Sequence, residues 1–280
     1  MMDLKICESN CRVVSIGSGK GGVGKTLTTI NVAFGLSALG KKVLILDGDL
    51  GLANVDIVLG IDAGYNVLDV IENRTGIENV ICPVTMNIDL IPSGSGIAKL
   101  SDLSIVQKVR LLDSLVEITG RYDYLLIDSG AGIGENVQLF TSSCNDNLVV
   151  TTGEPHSITD AYGFIKVMKT KFDKTKFHIL VNMVKSEAEG LKVFRRLAET
   201  SSRFLGVTLN NVGIVQFDKS LGSRIIGSTV NAESSYKTSS GQAWKSVAHK
   251  IDSFDEVEPN IGGSFWNSIV LGSRQVVAER

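Results

Sequence analysis

Short runs of apolar residues recur along the 280-residue chain, and most of them precede a longer segment with helical spacing. The runs lie at 13–16, 43–46, 124–127, 148–150, 177–181 and, more weakly, 212–215. Apolar residues fill successive positions instead of alternating, which predicts strands that are buried on both faces. Leu27, Ile30 and Phe34 mark one intervening helix that ends near Gly40. The alternation of strand and helix predicts an α/β fold, with a mostly parallel central sheet flanked by helices on both faces.

Composition narrows the class of protein. The chain has 28 Lys plus Arg, 30 Asp plus Glu and a formal net charge of −2, which argues against a polybasic nucleic-acid binder. Four cysteines, a polar beginning and the lack of any apolar stretch of about 18 residues predict a reducing, cytoplasmic setting with no spanning segment. The three histidines are far apart and form no metal-binding motif.

Residues 19–26, GKGGVGKT, follow the first apolar run and match G-x-x-x-x-G-K-[ST]. A glycine-rich backbone can surround phosphate oxygens with N–H groups, and the helix that follows directs its positive end at the same anion. We expect Lys25 to bind the β and γ phosphates and the Thr26 hydroxyl to bind Mg²⁺. The backbone of the loop would surround the phosphates at Gly19, Gly21, Gly22, Val23 and Gly24.

Acidic residues end two of the apolar runs. Asp47 ends the second run, Asp49 follows two residues later, and Asp128 ends the run at 124–127. The carboxyl ends of parallel strands are where ligands bind in open α/β sheets, so we expect these carboxylates to face the phosphates. The alternative is that Asp47 and Asp49 only cap or turn a loop. The pattern favours transfer of a phosphoryl group to water, with Mg²⁺ and lysines offsetting the charge and a carboxylate orienting the water.

Longer motifs identify a family. SGKGGVGKT at 18–26, with the early Lys20, resembles the deviant Walker A loop of MinD/ParA ATPases. The blocks DGDLGLANVDIVLG at 47–60, IPSGSGIAKL at 91–100, DSGAGI at 128–133 and SITDAY at 157–162 resemble the FlhG family, also called FleN or YlxH. The resemblance covers about residues 12–250. It implies a P-loop NTPase fold of the SIMIBI, MinD-like type and a weak Mg²⁺-dependent ATPase that regulates flagellar number or placement.

The resemblance also implies roles for individual residues. Lys20 would reach the nucleotide of a second subunit, and Asp49 would position the hydrolytic water. Asp47 and Asp128 would lie near Mg²⁺. On the base side, Asn182 would bind adenine, and Phe217 and Asp218 would form a second loop. The chain departs from the family twice. The second loop reads Val-Gln-Phe-Asp at 215–218 instead of Ile-Pro-x-Asp, and residues 1–11 lack the Asp-Gln-Ala-type helix that stimulates the partner GTPase FlhF.

The last part of the sequence departs from the strand–helix alternation. We expect an ATPase domain at 1–252, an acidic and glycine-rich linker at 253–263 and an amphipathic helix at 264–280. In that helix six large apolar side chains share one arc: Phe265, Trp266, Ile269, Val270, Val276 and Val277. Such a stripe either docks on the chain's own domain or lies in a membrane surface. The resemblance of GGSFWNSIVL to the FlhG membrane tail favours the membrane, and two tails in a dimer would add by avidity.

Together with the apolar stripe, the resemblance implies a nucleotide-switched homodimer that cycles on and off the inner face of the cell membrane. The resemblance implies the flagellar GTPase FlhF, flagellar switch proteins or a flagellar transcription regulator as partners. The alternatives are a MinD-type regulator of the division site and a ParA-type ATPase that positions DNA or cargo, although the net charge argues against nucleic acid. An iron–sulfur reductase, a third alternative, would need cysteines from both subunits at the dimer interface. The segment DSGAGIGENV at 128–137 has none, and Cys144 lies further along the following helix.

Overall fold

The computed structural model describes residues 11–49, 54–94, 104–144, 146–218 and 239–254. The strands are β1 (Arg12–Ser18), β2 (Val43–Asp47), β3 (Cys82–Thr85), β4 (Ile88–Ile91), β5 (Tyr124–Ala131), β6 (Asp146–Thr152), β7 (Lys176–Val184) and β8 (Thr208–Gln216). The helices are α1 (Lys25–Ala38), α2 (Val55–Leu59), α3 (Val67–Ile71), α4 (Ile105–Thr119), α5 (Glu135–Ser143), α6 (Pro155–Phe172), α7 (Glu187–Leu205) and α8 (Ser239–Asp252).

These strands form one sheet in the order β3-β4-β2-β5-β1-β6-β7-β8. Neighbouring strands are parallel except for β3 and β4, which are antiparallel. The predicted α/β class with a mostly parallel sheet is confirmed, and all six predicted apolar runs are strands. The pattern did not predict β3 and β4, because each has four residues and β3 alternates between half-buried and exposed positions at the sheet's edge.

The core lies on both faces of the sheet because successive strand residues point to opposite sides. Along β5, Tyr124 and Leu126 pack with α1 and α8, whereas Leu125 and Ile127 pack with α3 and α4. Apolar residues of α6 and α7 cover the same second face beside β6 and β7. Both faces of the central strands are therefore buried, which is why their sequences are continuously apolar.

A cluster of four side chains, Arg12, Asp146, His178 and Phe254, lies at the amino-terminal edge of the strands; we call it the basal cluster. Arg12 Nε and His178 Nε2 contact the two carboxylate oxygens of Asp146 at 2.7 and 3.0 Å. The Phe254 ring stacks on His178 with centroids 3.7 Å apart, and the Arg12 guanidinium lies 5.2 Å from the Phe254 centroid. The cluster therefore packs the chain just beyond α8 against the amino-terminal ends of the strands, away from the phosphate loop.

No helix within the described ranges is long and apolar enough to cross a membrane. The predicted linker from residue 255 onward and the predicted helix at 264–280 lie outside the described residues, as do residues 50–53 and 95–100 of the family motifs.

Candidate functional site: the nucleotide site

The phosphate loop runs from the end of β1 into the start of α1, where the motif predicts it. Gly24 precedes the helix with φ of +89°, a left-handed conformation that favours glycine. Gly19 makes the closest approach, because a Cβ there would lie 2.1 Å from the carbonyl oxygen of Asp160 on α6. These two glycines are required by the backbone, which explains their place in the motif before any ligand is considered.

Asp47 at the end of β2 is fully buried, and its carboxylate organises the loop that follows. One oxygen accepts the backbone N–H of Asp49 at 3.1 Å, and the other accepts those of Asn54 at 3.0 Å and Val55 at 3.3 Å. Burial raises the pKa of Asp47, although these backbone bonds act in the opposite direction. Asp47 thus lies at the predicted edge and is also tied to its own loop.

Asp128 on β5 is the register partner of Asp47 and is 3% exposed. Burial raises its pKa to about 7, with a further contribution from the charge of Asp47, while the Thr26 hydroxyl and the Lys25 charge oppose that rise. Its Oδ1 has no hydrogen-bond partner within the described residues. A buried carboxylate oxygen left unpaired beside a threonine hydroxyl fits the hard oxygen ligands that Mg²⁺ takes.

Lys25 opens α1 and lies within reach of these acids. Burial lowers the pKa of Lys25, and the charges of Asp128 and Asp49 partly restore it. The Asp49 carboxylate lies 3.6 Å from the position of a Cβ on Gly130, in the segment that follows Asp128. The structure therefore brings the loop lysine and the three predicted carboxylates to one edge of the sheet, where triphosphate, cation and water can meet.

Lys20 lies on the same loop but is more exposed, with 41% of its side chain accessible. Its Nζ contacts Glu154 Oε2 at 2.9 Å, just before α6. The Lys20 hydrogen bond and charge lower the pKa of Glu154. Glu154 was not among the predicted site residues, although it follows the apolar run of β6 as Asp47 and Asp128 follow theirs.

The residues predicted on the base side lie at the ends of two adjacent strands. Asn182 near the end of β7 is 4% exposed and donates from Nδ2 to the Val23 carbonyl oxygen at 2.9 Å. Phe217, 59% exposed, follows β8 and is held beside β7 by its backbone N–H bond to Val184. Asp218 accepts a hydrogen bond from the Ser240 hydroxyl at the start of α8. Asn182 and Phe217 thus lie at the ends of neighbouring strands, while Asp218 also connects to α8.

Comparison with known proteins settles the family. A family model described as "AAA domain" matches residues 11–180. Antiactivator FleN of Pseudomonas aeruginosa is 37% identical over 87% of each chain. Flagellum site-determining protein YlxH of Helicobacter pylori is 33% identical over 75% of this chain and 71% of its own. The chain belongs to the FleN/YlxH family of MinD/ParA-type ATPases.

A solved structure supports the cofactors. The septum site-determining protein MinD from Pyrococcus horikoshii, complexed with Mg-ADP, matches this FleN/YlxH protein with a TM-score of 0.67. It is 26% identical and the match covers 87% of this chain and 96% of that one. The predicted family, the P-loop ATPase activity, and ATP and Mg²⁺ as cofactors are confirmed. This FleN/YlxH protein is an ATPase that regulates flagellar number.

Proposed function

We propose that this FleN/YlxH-type ATPase is a nucleotide-switched dimer that cycles on and off the inner face of the cell membrane. The observation that carries the switch is the contrast between the two lysines of the phosphate loop. Lys25 is partly buried among carboxylates, whereas Lys20 is exposed and paired with the exposed Glu154. A surface ion pair is readily exchanged. Lys20 can therefore leave Glu154 and contact the nucleotide of a second copy.

The same proposal assigns the remaining residues of the site. Gly19, Gly21, Gly22, Val23 and Gly24 would form the cradle, Thr26, Asp47 and Asp128 would form the Mg²⁺ environment, and Asn182, Phe217 and Asp218 would lie on the base side. Asp49 would orient the attacking water, and Lys25 and Lys20 would offset the charge on the γ-phosphoryl group. The unpaired oxygen of Asp128 supports its place beside the cation.

The membrane part of the proposal rests on the end of the chain. The basal cluster holds Phe254 at one edge of the sheet, while the phosphate loop lies at the other. Residues 255–263 span at most about 30 Å when extended. The apolar stripe at 264–280 would therefore meet a membrane below the basal edge, with the ATPase domain at 1–252 above it.

The names of the relatives support flagellar proteins as partners. The P. aeruginosa relative is called an antiactivator, which supports a flagellar transcription regulator as partner. The H. pylori relative is called site-determining, which supports proteins of the flagellar base, including FlhF and the switch proteins. Nucleic acid is not among the proposed partners, because the chain carries a net charge of −2.

Size-exclusion chromatography and liposome sedimentation test the switch. The full chain and a variant lacking 264–280 are compared with Mg-ADP and with a non-hydrolysable ATP analogue. We expect both proteins to elute as dimers with the analogue and as monomers with Mg-ADP, and only the full chain to sediment with liposomes. A monomer in both nucleotides would refute the switch. Equal sedimentation of the two proteins would refute the tail as the membrane contact.

A further inference from the structure

Asn182 makes a direct contact with the phosphate loop from 159 residues away in the sequence. Its amide nitrogen donates to the Val23 carbonyl oxygen at 2.9 Å, and both residues are almost fully buried. The next loop residue also rests on this strand, because a Cβ on Gly24 would lie 2.6 Å from Asn182 Nδ2 and 3.0 Å from Met183 Cε. The phosphate loop therefore packs against the carboxyl end of β7.

The backbone of β7 is unusual at this point. Met183 has φ of +56°, which is uncommon for a residue with a side chain. The register between β7 and β8 also shifts between Val181 and Val184. Such irregularities redirect side chains, and strained backbone is concentrated at functional sites. Here the irregularity lies immediately after Asn182, at the strand end that contacts the loop.

The peptide plane explains what the contact does. The Val23 carbonyl and the Gly24 N–H belong to one trans peptide unit, so they point in opposite directions. A carbonyl held against Asn182 turns the Gly24 N–H away from β7. Without the bond to Asn182, the same peptide unit could rotate and direct the Val23 carbonyl oxygen at the phosphates. That oxygen would repel the phosphates, whereas the Gly24 N–H attracts them. Gly24 lacks the Cβ that would resist such a rotation.

We propose that Asn182 is a positioning residue for the phosphate loop: by binding the Val23 carbonyl it holds the Gly24 N–H toward the triphosphate. This role deepens the proposed function, on which it rests, and is separate from any contact with the base. It also orients the amide. A backbone carbonyl only accepts, so Nδ2 must face Val23 and Oδ1 faces elsewhere, with no hydrogen bond in the described parts of the chain.

Titration calorimetry with inorganic tripolyphosphate and Mg²⁺ separates the two roles, because this ligand has no base. The nucleotide-free wild type is compared with Asn182→Ala and with Phe217→Ala, a substitution of an exposed residue at the end of β8. We expect Asn182→Ala to weaken tripolyphosphate binding roughly three- to tenfold, the range for one lost hydrogen bond. Phe217→Ala should leave it unchanged while weakening Mg-ATP.

The outcomes distinguish this inference from the proposed function. If Asn182→Ala loses affinity for Mg-ATP but binds tripolyphosphate like the wild type, Asn182 only contacts the base and the positioning role is wrong. If the wild type binds neither ligand, the phosphate-loop assignment itself fails. Thermal melting by circular dichroism reports whether each variant folds. Asn182→Ser, whose hydroxyl is too short to replace the amide, gives the same test if the alanine variant does not fold.

Discussion

Asp128 lies directly opposite Asp47 in the register between β5 and β2, yet the two buried carboxylates have different partners. Both oxygens of Asp47 accept backbone N–H groups, from Asp49, Asn54 and Val55. Oδ1 of Asp128 has no partner in the part of the chain that the structure describes. Asp47 thus shapes the loop that carries Asp49, and Asp128 offers the oxygen that a cation can use.

The raised pKa of Asp128 predicts a pH dependence of stability in the metal-free protein. Its pKa is about 7 in the folded chain and about 4 when unfolded, so the folded state holds an extra proton between these values. The free energy of unfolding therefore falls as pH rises through this window. Asp128→Asn removes the charge, and we expect it to raise that free energy by about 4 kcal/mol at pH 8 and by little at pH 4.

Urea unfolding at pH 4, 6 and 8, without Mg²⁺ or nucleotide, measures this difference. The exposed Asp62→Asn serves as the matched control and should give a constant offset. Parallel pH profiles of the wild type and Asp128→Asn would contradict the prediction. The same substitution should abolish Mg²⁺-dependent hydrolysis, because a neutral amide is a weaker ligand for this cation than a carboxylate.

Asp49 is the proposed water-positioning residue, and its replacement should separate binding from hydrolysis. Asp49→Ala should keep Mg-ATP binding, accumulate an ATP-bound dimer and reduce kcat by about a hundredfold or more. Lys25→Ala, by contrast, should lose nucleotide binding because it removes the charge that faces the phosphates. Calorimetry, size-exclusion chromatography and phosphate release give the three readouts. Hydrolysis by Asp49→Ala at the wild-type rate would exclude this role.

The Lys20–Glu154 ion pair predicts an effect on dimer formation. Glu154→Gln removes the carboxylate that holds Lys20 in the single chain, so Lys20 is released for the second copy. We expect dimerisation with a non-hydrolysable ATP analogue at lower protein concentration, measured by analytical ultracentrifugation. Affinity of the monomer for Mg-ADP should stay the same. Glu187→Gln, an exposed residue at the start of α7, is the control. A dimer weaker than that of the wild type would show that Glu154 supports the interface instead.

The basal cluster predicts a second pH dependence, of opposite sign. Burial alone raises the pKa of Asp146, but hydrogen bonds from His178 and Arg12 outweigh it and hold the pKa below its usual range. This carboxylate therefore stabilises the fold above the unfolded pKa of about 4, and the contribution is lost as pH falls through the lower, folded pKa. Asp146→Asn removes the carboxylate charge that Arg12 and His178 contact and should cost about 3 kcal/mol at pH 7.

Urea unfolding of Asp146→Asn and of the exposed Asp113→Asn at pH 3 and pH 7 checks this expectation. The difference from the wild type should shrink at pH 3, and the affinity for Mg-ATP should change little, because the cluster lies at the opposite edge of the sheet from the phosphate loop. A loss of stability that is equal at both pH values would indicate a packing effect instead of a charge effect.

Much of the fold can be predicted from local patterns. Continuous apolar runs identify β1, β2 and β5 to β8, because a strand covered on both faces needs apolar residues at every position. The glycines and Lys25 identify the phosphate loop, and the position of Asp47 and Asp128 after apolar runs identifies the carboxyl edge of the sheet. Each of these signals can be read within a few consecutive residues, because burial and backbone geometry restrict which residue types those positions accept.

Other features depend on how distant segments meet. The Asn182 contact with Val23, the pairing of Lys20 with Glu154 and the difference between Asp47 and Asp128 appear only once the strand order is known. The short edge strands β3 and β4 likewise owe their conformation to pairing with each other and with β2. Hydrogen bonds and ion pairs of this kind join residues far apart in the chain, and crossover connections decide which of them become neighbours.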